Sequence, residues 1–344
     1  MISKKDVTKR GNQLGFEVVR IGSADPFSEY ETRVKERIRS NIFPKEFMSY
    51  EKILEDVDYY VDPSNSLSGA KSIISMAFCY YNDKNPDLTR PGEPHGVIAR
   101  SYQRDVYGEM YRRLKNFAGH LQKKGIKVAE KSLIPQKMAA IRAGIGWQGK
   151  NSLIITKENG SWITLCSLIV NIELEPDEPS HMNCGRCKAC QRICPTSAIQ
   201  NPGVINANRC LVYQTCKTGD IPTEFRTKMG NRLVSCDLCQ EVCPYNKHVK
   251  PVKKEISPFS SEFSHSPALI PLLDISEAEF RRNFLEHDFI DPRSDYLKRN
   301  VIVALGNVGD PVAVPVLENI INTGTGILKG HASWALDQIN RKNF

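Results

Sequence analysis

The stretch CGRCKACQRICP, Cys184 to Pro195, sets four cysteines at spacings of three, three and four and closes them with a proline. Iron–sulfur ligands recur as C-x2-C-x2-C-x3-C-P because three closely spaced thiolates can each take a different iron of one cubane. The proline turn carries the fourth toward a second cluster. A shortened echo follows in CDLCQEVCP, where Cys236, Cys239 and Cys243-Pro244 match the last three positions and the first is missing. A second cubane then needs one more thiolate, for which Cys210 (in NANRC) and Cys216 compete. The favoured arrangement puts Cys184, Cys187, Cys190 and Cys243 on one 4Fe–4S cluster, and Cys194, Cys210, Cys236 and Cys239 on the other. Paired C-x2-C also builds zinc sites. The C-x3-C-P ending is a device zinc does not need, and it occurs twice.

Nine of the eleven cysteines fall between Cys184 and Cys243. Such crowding in a chain without an export signal points to metal rather than disulfides. Cys79 and Cys166, outside it, sit in the apolar runs SIISMAFCYY and WITLCSLIV and read as buried, inert thiols. With 40% apolar and 25% charged residues over 344 positions, the composition is that of a globular protein of two or three domains. No apolar stretch approaches the ~18 residues of a membrane span. The opening MISKKDVTKRGNQLGFEVV has the pattern of a charged amphipathic helix and lacks the apolar centre of a signal peptide, so a cytoplasmic location is expected. The formal net charge is +8, and Cys184 to Lys254 alone holds twelve Lys/Arg against four Asp/Glu. That excess suits two readings equally, compensation of anionic cysteinyl clusters and a nucleic-acid surface.

Residues 1 to about 172 alternate helical and strand patterns. Helices are expected at about 4–15, 27–39, 104–124 and 135–143, and strands at EVVRIG, 72–81, 126–129, 152–156 and 162–170. The long helix is marked by Val106, Met110, Leu114, Phe117 and Leu121 at steps of three and four. The alternation argues for an α/β or α+β domain. A cysteine-rich, ferredoxin-like segment follows at about 173–255. Residues 256–344 then read as helix, Gly/Asp turn and helix in SDYLKRNVIVALGNVG, DPVAVPVLENIINTG and GILKGHASWALDQINRK. This pattern looks like a HEAT repeat, too short to stand alone as a solenoid and so expected to pack on the rest. Its Lys298, Arg299, Lys329, His331, Arg341 and Lys342 could track phosphates.

Five stretches resemble the epoxyqueuosine reductase family: DPSNSLSGAKSIISMAFCYY (62–81), RAGIGWQGKNSLII (142–155), GSWITLCSLI (160–169), CGRCKACQRICPTSAI and MGNRLVSCDLCQEVCPYN (229–246). The resemblance spans most of the chain. It implies an α+β reductase related in its core to reductive dehalogenases. A nitroreductase-like α/β domain would bind cobalamin, followed by a ferredoxin-like domain with two 4Fe–4S clusters and a helical HEAT-like module. Members remove an epoxide oxygen from epoxyqueuosine in a tRNA anticodon. tRNA is therefore the implied substrate, an external low-potential electron donor is required, and a monomer is expected. No D-x-H-x-x-G occurs, so cobalamin rests on the resemblance alone. Arg100, Arg142, Gly146, Trp147, Gly149, Lys150 and Asn151 are the implied cofactor contacts. Glycines would let backbone approach the macrocycle, and Trp147 would cover a face of it.

The proton donor is where this chain departs from the family. Members carry an acidic residue in V-D-T-G-P, about fourteen residues before the first Gly of AG-x-G-W; here that position is Glu130, in KVAEKSLIP, without the Thr-Gly-Pro. The family's ARYA-x-G-x-DYH becomes ARSYQRDVYGEM, one residue short and without its His. Glu130, Asp105 and Tyr107 are the candidate acids, with Tyr102 nearby. The altered motifs keep two other readings open, a corrinoid iron–sulfur reductase for a small molecule and an electron-transfer protein serving a corrinoid partner.

Overall fold

The computed structural model describes residues 2–44, 50–83, 87–103, 106–217, 219–252, 265–276, 278–279, 295–324 and 326–343. The first helix, α1 (Lys4–Gln13), starts where Ser3 can cap it. Ser3 Oγ accepts from the Asp6 N–H at 3.2 Å while Asp6 Oδ2 accepts from the Ser3 N–H at 3.0 Å, a reciprocal capping box. Then come β1 (Val18–Ser23), α2 (Ser28–Arg39), α3 (Tyr50–Tyr60) and β2 (Ser72–Cys79). The run SIISMAFC carries no charge and every residue of β2 is buried. It is accordingly the central strand. β1 pairs on one side and β6 (Ile163–Val170) on the other, both antiparallel, with Met76 opposite Val19 and Cys166. Each fully buried Ile or Met here contributes roughly 1.5–3 kcal/mol. The sheet is antiparallel throughout, so the first half is α+β and not a parallel doubly wound layer. The strand expected at 126–129 is reduced to a single bridge, Val128 to Val170.

The sheet is covered on one side by α4 (Val106–Gln122), whose Val106, Met110, Phe117 and Leu121 are buried. α5 (Gln136–Arg142) packs on the sheet through Ala139, Ala140 and Ala143, small enough to let the helix come close. Between them and the cysteines lies a two-stranded hairpin, β4 (Trp147–Gln148) and β5 (Ile154–Ile155).

The cysteine-rich segment holds α6 (Ala189–Ile193), α7 (Leu211–Cys216), α8 (Thr223–Met229), β7 (Arg232–Val234) and α9 (Leu238–Glu241). It is tied to the first half by a short parallel pairing of β7 with β3 (Val97–Ile98), in which Ile98 stands opposite Val234. Three last helices, α10 (Asp295–Val308), α11 (Val314–Thr323) and α12 (Gly326–Asn343), share one apolar core with that pairing. Leu297, Val301 and Leu305 pack with Ala332 and Ile339, and also with Ile98 and Leu233. The expected boundary at 255/256 lies outside the described residues.

Two members of the expected basic surface are interior. Arg299 is 1% exposed and donates to the carbonyls of Gln214, Thr215, Lys217 and Gly219, gripping the end of α7 and the chain that follows it. His331 is wholly buried; its Nε2 accepts from the Ile221 N–H at 3.3 Å and its Nδ1–H donates to Ile327 O at 2.7 Å. Arg341 pairs with Asp337 and Lys342 reaches Asn307 O, which leaves Lys298 half-buried and Lys329 exposed.

Candidate redox centre

Eight cysteines converge in two sets. Cys184 and Cys187, on the loop into α6, and Cys190, in α6 itself, meet Cys243, just after α9, around one small cavity. Cys194, just after α6, meets Cys210, at the start of α7, together with Cys236 and Cys239 around a second cavity of about 280 Å³. Each Cys-Pro turn thus delivers its cysteine to the other run's set, as the motif requires. Cys216 lines neither cavity; its neighbours are Thr215, at 3.7 Å, and the Arg299 guanidinium. Between the two competing thiols, geometry favours Cys210.

The thiols form two crowded donor sets. Burial pushes Cys190 and Cys243 up, reinforced by their partners Cys184 and Cys187. Cys210 is raised by burial, Cys236 is pushed up to about 11 by burial, and Cys239 is raised further by burial and then by Cys236, Cys210 and Cys190. The influence of Cys190 on Cys239 shows that the two sets are neighbours. For Cys194 burial is outweighed by bonds from Thr196, Ala198 and Ile199, and its pKa is lowered; the Ala198 N–H lies 3.3 Å from Sγ. Buried, mutually repelling thiols become thiolates when a positive centre takes them, so these residues fit iron–sulfur clusters.

The larger cavity is shared by both halves of the chain. Tyr102, Tyr107, Asn151, Leu153, Ile163 and Thr164 face it from the first half, and Ile199, Leu211 and Asp237 from the second. Tyr107 is half-buried, is raised by burial, and bonds to Thr164; Tyr102 is raised by burial. Asp237, beside Cys236, was not singled out in the sequence. Burial pushes it up to about 6 against the pull of Arg100. Only its place inside the C-D-L-C ligand run, indistinguishable from any ligand-loop acid, could have flagged it.

Most of the expected cofactor contacts are committed elsewhere. Arg142 donates to the carbonyls of Ser23, Asp25 and Pro26 and lies 3.7 Å from the Phe27 ring centroid, closing the loop before α2. A Cβ on Gly146 would stand 2.1 Å from Ile155 O, and one on Gly149 would stand 2.6 Å from Asn151 Oδ1. These glycines let the tight β4–β5 hairpin close. Trp147 is buried edge-on against Tyr245, with ring centroids at 4.9 Å and Nε1 without a partner. Lys150 Nζ donates to Gly185 O and Cys187 O, each at 2.7 Å, so it holds the loop of the first thiol set. Asn151 alone of these lines both cavities.

Arg100 is buried, with its guanidinium 4.9 Å from the Trp162 ring centroid, and it bonds to Asp237 and Glu241. It is spent on joining the two halves. Glu130 is exposed on a bend after Ala129, whose N–H donates to Ile169 O at 3.0 Å, and it lines neither cavity. Asp105 lies outside the described residues.

Comparison with known proteins gives the same frame. A family model described as a 4Fe-4S double cluster binding domain matches residues 183–246, which include all eight thiols of the two sets. Epoxyqueuosine reductase of Bacillus subtilis is 34% identical across 98% of this chain and 87% of its own length. That of Bacillus anthracis is 33% identical across 98% and 89%. A crystal structure of epoxyqueuosine reductase with an epoxyqueuosine-modified tRNA-Tyr stem loop matches with a TM-score of 0.88 at 32% identity, covering 98% of this chain and 90% of that one. The Bacillus subtilis enzyme, in a structure whose catalytic loop is swung out of the active site, also superposes with a TM-score of 0.88, at 33% identity and the same coverage. A reductive dehalogenase, NpRdhA, is a remote match at 15% identity and a TM-score of 0.45 over 71% of this chain.

Proposed function

Because the chain belongs to the epoxyqueuosine reductase family, we propose that it reduces epoxyqueuosine in tRNA to queuosine, using two 4Fe–4S clusters as its electron wire. The observation that carries this reading is the second thiol set opening onto a cavity built jointly by both halves of the chain. Removing the epoxide oxygen as water consumes two electrons and two protons and leaves a carbon–carbon double bond. Clusters relay electrons one at a time, so two transfers serve one turnover. Cys184, Cys187, Cys190 and Cys243 hold the outer cluster, and Cys194, Cys210, Cys236 and Cys239 the inner one.

The same cavity would receive one face of a corrinoid, since its volume of about 280 Å³ is far too small to enclose the whole macrocycle. Tyr102, Tyr107, Asn151, Leu153, Ile163 and Thr164 would contact it, in place of the contacts expected at Arg142, Gly146 and Gly149. Its lining of apolar side chains with a few convergent polar groups is what a cofactor site offers. When bound, the corrinoid supplies low-potential metal chemistry that relay clusters lack. The chain's own task is then to exclude water around the second thiol set and to place a proton on the departing oxygen. Glu130 is the proposed acid, carried on an exposed segment and brought in by movement; Tyr107, already at the cavity, is the alternative. Lys329 and Lys298 of the HEAT-like helical module (256–344) would meet tRNA phosphates. The enzyme would work as a monomer in the cytoplasm. No helix among the described residues is long and apolar enough to cross a membrane.

A strain lacking only this protein should accumulate epoxyqueuosine in its tRNA, read by nucleoside mass spectrometry. Unaltered queuosine in a strain with no second such enzyme would remove this function. Turnover of a small epoxide but not of modified stem loop would favour the small-molecule reading that the altered acid motif suggests.

A further inference from the structure

We propose that the surface over the first thiol set is the docking face for an acidic protein carrying a one-electron centre; this rests on the two-cluster reading above. The two sets differ in what surrounds them. Gly185, Arg186 and Lys188, which lie between Cys184 and Cys190, are exposed. Ser235, Asp237 and Gln240, which flank Cys236 and Cys239, are buried. Electrons therefore enter at the first set and leave at the second.

The chemistry of that entrance is one-sided. From Ser180 to Gln200 there is no Asp or Glu. Arg186, Lys188 and Arg192 are all exposed there, and none has an ion-pair partner among the described residues. Lys247, exposed and likewise unpaired, ends the turn that carries Cys243. That turn is held against the same segment by the Tyr245 hydroxyl, which donates to Asn183 O at 3.1 Å. Two large apolar side chains stand exposed beside these cations, Met182 at 42% and Ile193 at 41%. Exposed large apolar side chains together with unpaired cations are the make-up of a transient protein interface.

Compensation of cluster charge would need the cations but not the exposed Met182 and Ile193. RNA would need the cations but not the exposed Met182 and Ile193. An acidic redox protein uses all three features. In each encounter the donor loses one electron and the outer cluster gains it, with no proton or bond change.

The test uses reconstituted full-length protein, reduced flavodoxin as the acidic probe, and photoreduced deazaflavin as a small uncharged reductant. Stopped-flow absorbance follows cluster bleaching at low and high salt. For wild type the flavodoxin rate should fall as salt rises. Arg186→Glu/Lys188→Glu should lower the low-salt rate by about tenfold or more and flatten the salt dependence, with the deazaflavin rate and iron content unchanged. Arg192→Glu/Lys247→Glu, which leaves the Cys184–Cys190 loop untouched, should do the same. Wild-type protein that deazaflavin reduces and flavodoxin does not, or a salt-independent flavodoxin rate, overturns the docking face alone. Wild-type protein that deazaflavin cannot reduce overturns the two-cluster reading and this proposal with it. Variants that keep the flavodoxin rate but lose affinity for a tRNA stem loop make the face an RNA contact and overturn it as well.

Discussion

The backbone N–H of Arg100 donates to Asp237 Oδ2 at 2.7 Å, and its guanidinium reaches the same oxygen at 3.4 Å. A residue of the first half thus neutralises a buried carboxyl lodged between two thiols of the second set. Removing one partner of such a pair leaves an uncompensated charge. Arg100→Met should lower stability by about 3 kcal/mol, measured by anaerobic denaturant unfolding. Asp237→Asn, which removes the charge as well, should cost less. Equal losses would show that the pair is not what holds the halves together.

Cys210→Ser should cost the protein about half its iron, because a cubane held by cysteines needs its fourth thiolate. Cys216→Ser should leave iron and sulfide content unchanged. Colorimetric iron and sulfide determination after anaerobic purification decides between them, and the reverse result would move the inner ligand to Cys216.

Lys150 straps the first ligand loop through Gly185 O and Cys187 O. Lys150→Met should accelerate iron release to a chelator several-fold from the outer cluster while the inner one is retained. Electron paramagnetic resonance before and after chelation would separate the two.

Glu130→Gln should abolish turnover of epoxyqueuosine stem loop with iron content and visible spectra unaltered. Full activity in that variant would pass the role to Tyr107, and Tyr107→Phe would then be the variant that loses turnover while binding the stem loop normally.

His331 titrates near 4, lowered first by burial, then by Arg226 and Arg299, against the pull of the Ile327 carbonyl and Asp220. The Ile221 N–H already occupies Nε2, so a proton there has no room. Its unfolded value is about 6.5. Between those values the unfolded chain binds the extra proton, so stability falls as pH drops from about 6.5 toward 4. The contribution is complete above 6.5. Denaturant midpoints across this range should slope downward for wild type and less steeply for His331→Gln.

What the sequence made legible was local. Cysteine spacing assigns thiols to their two sets because a ligand run acts within a few residues, and the uncharged run of β2 reads as an interior strand for the same reason. The structural demand on the glycines of RAGIGWQGKN was not legible, because Gly146 answers to Ile155 O, a contact that exists only once the hairpin has closed. Arg299 and His331 looked like surface cations, although YLKRNVIVALGNV is apolar nearly all round. Such a helix is buried on every side, and its one arginine had to find carbonyls. Glu130 was placed by its distance from a motif, which says nothing of depth, and so its exposure on the bend after Ala129 was not legible.

The exchange of Cys194 and Cys243 between the two runs also has a consequence for how the protein is made. A nascent chain that has just emerged through Pro195 offers the first site only three thiols. The fourth, Cys243, leaves the ribosome dozens of residues later, and Cys194 must wait for Cys236 and Cys239 in turn. Iron delivery must therefore follow synthesis of this whole segment, and a chain truncated anywhere before Cys243 leaves the first site one thiol short.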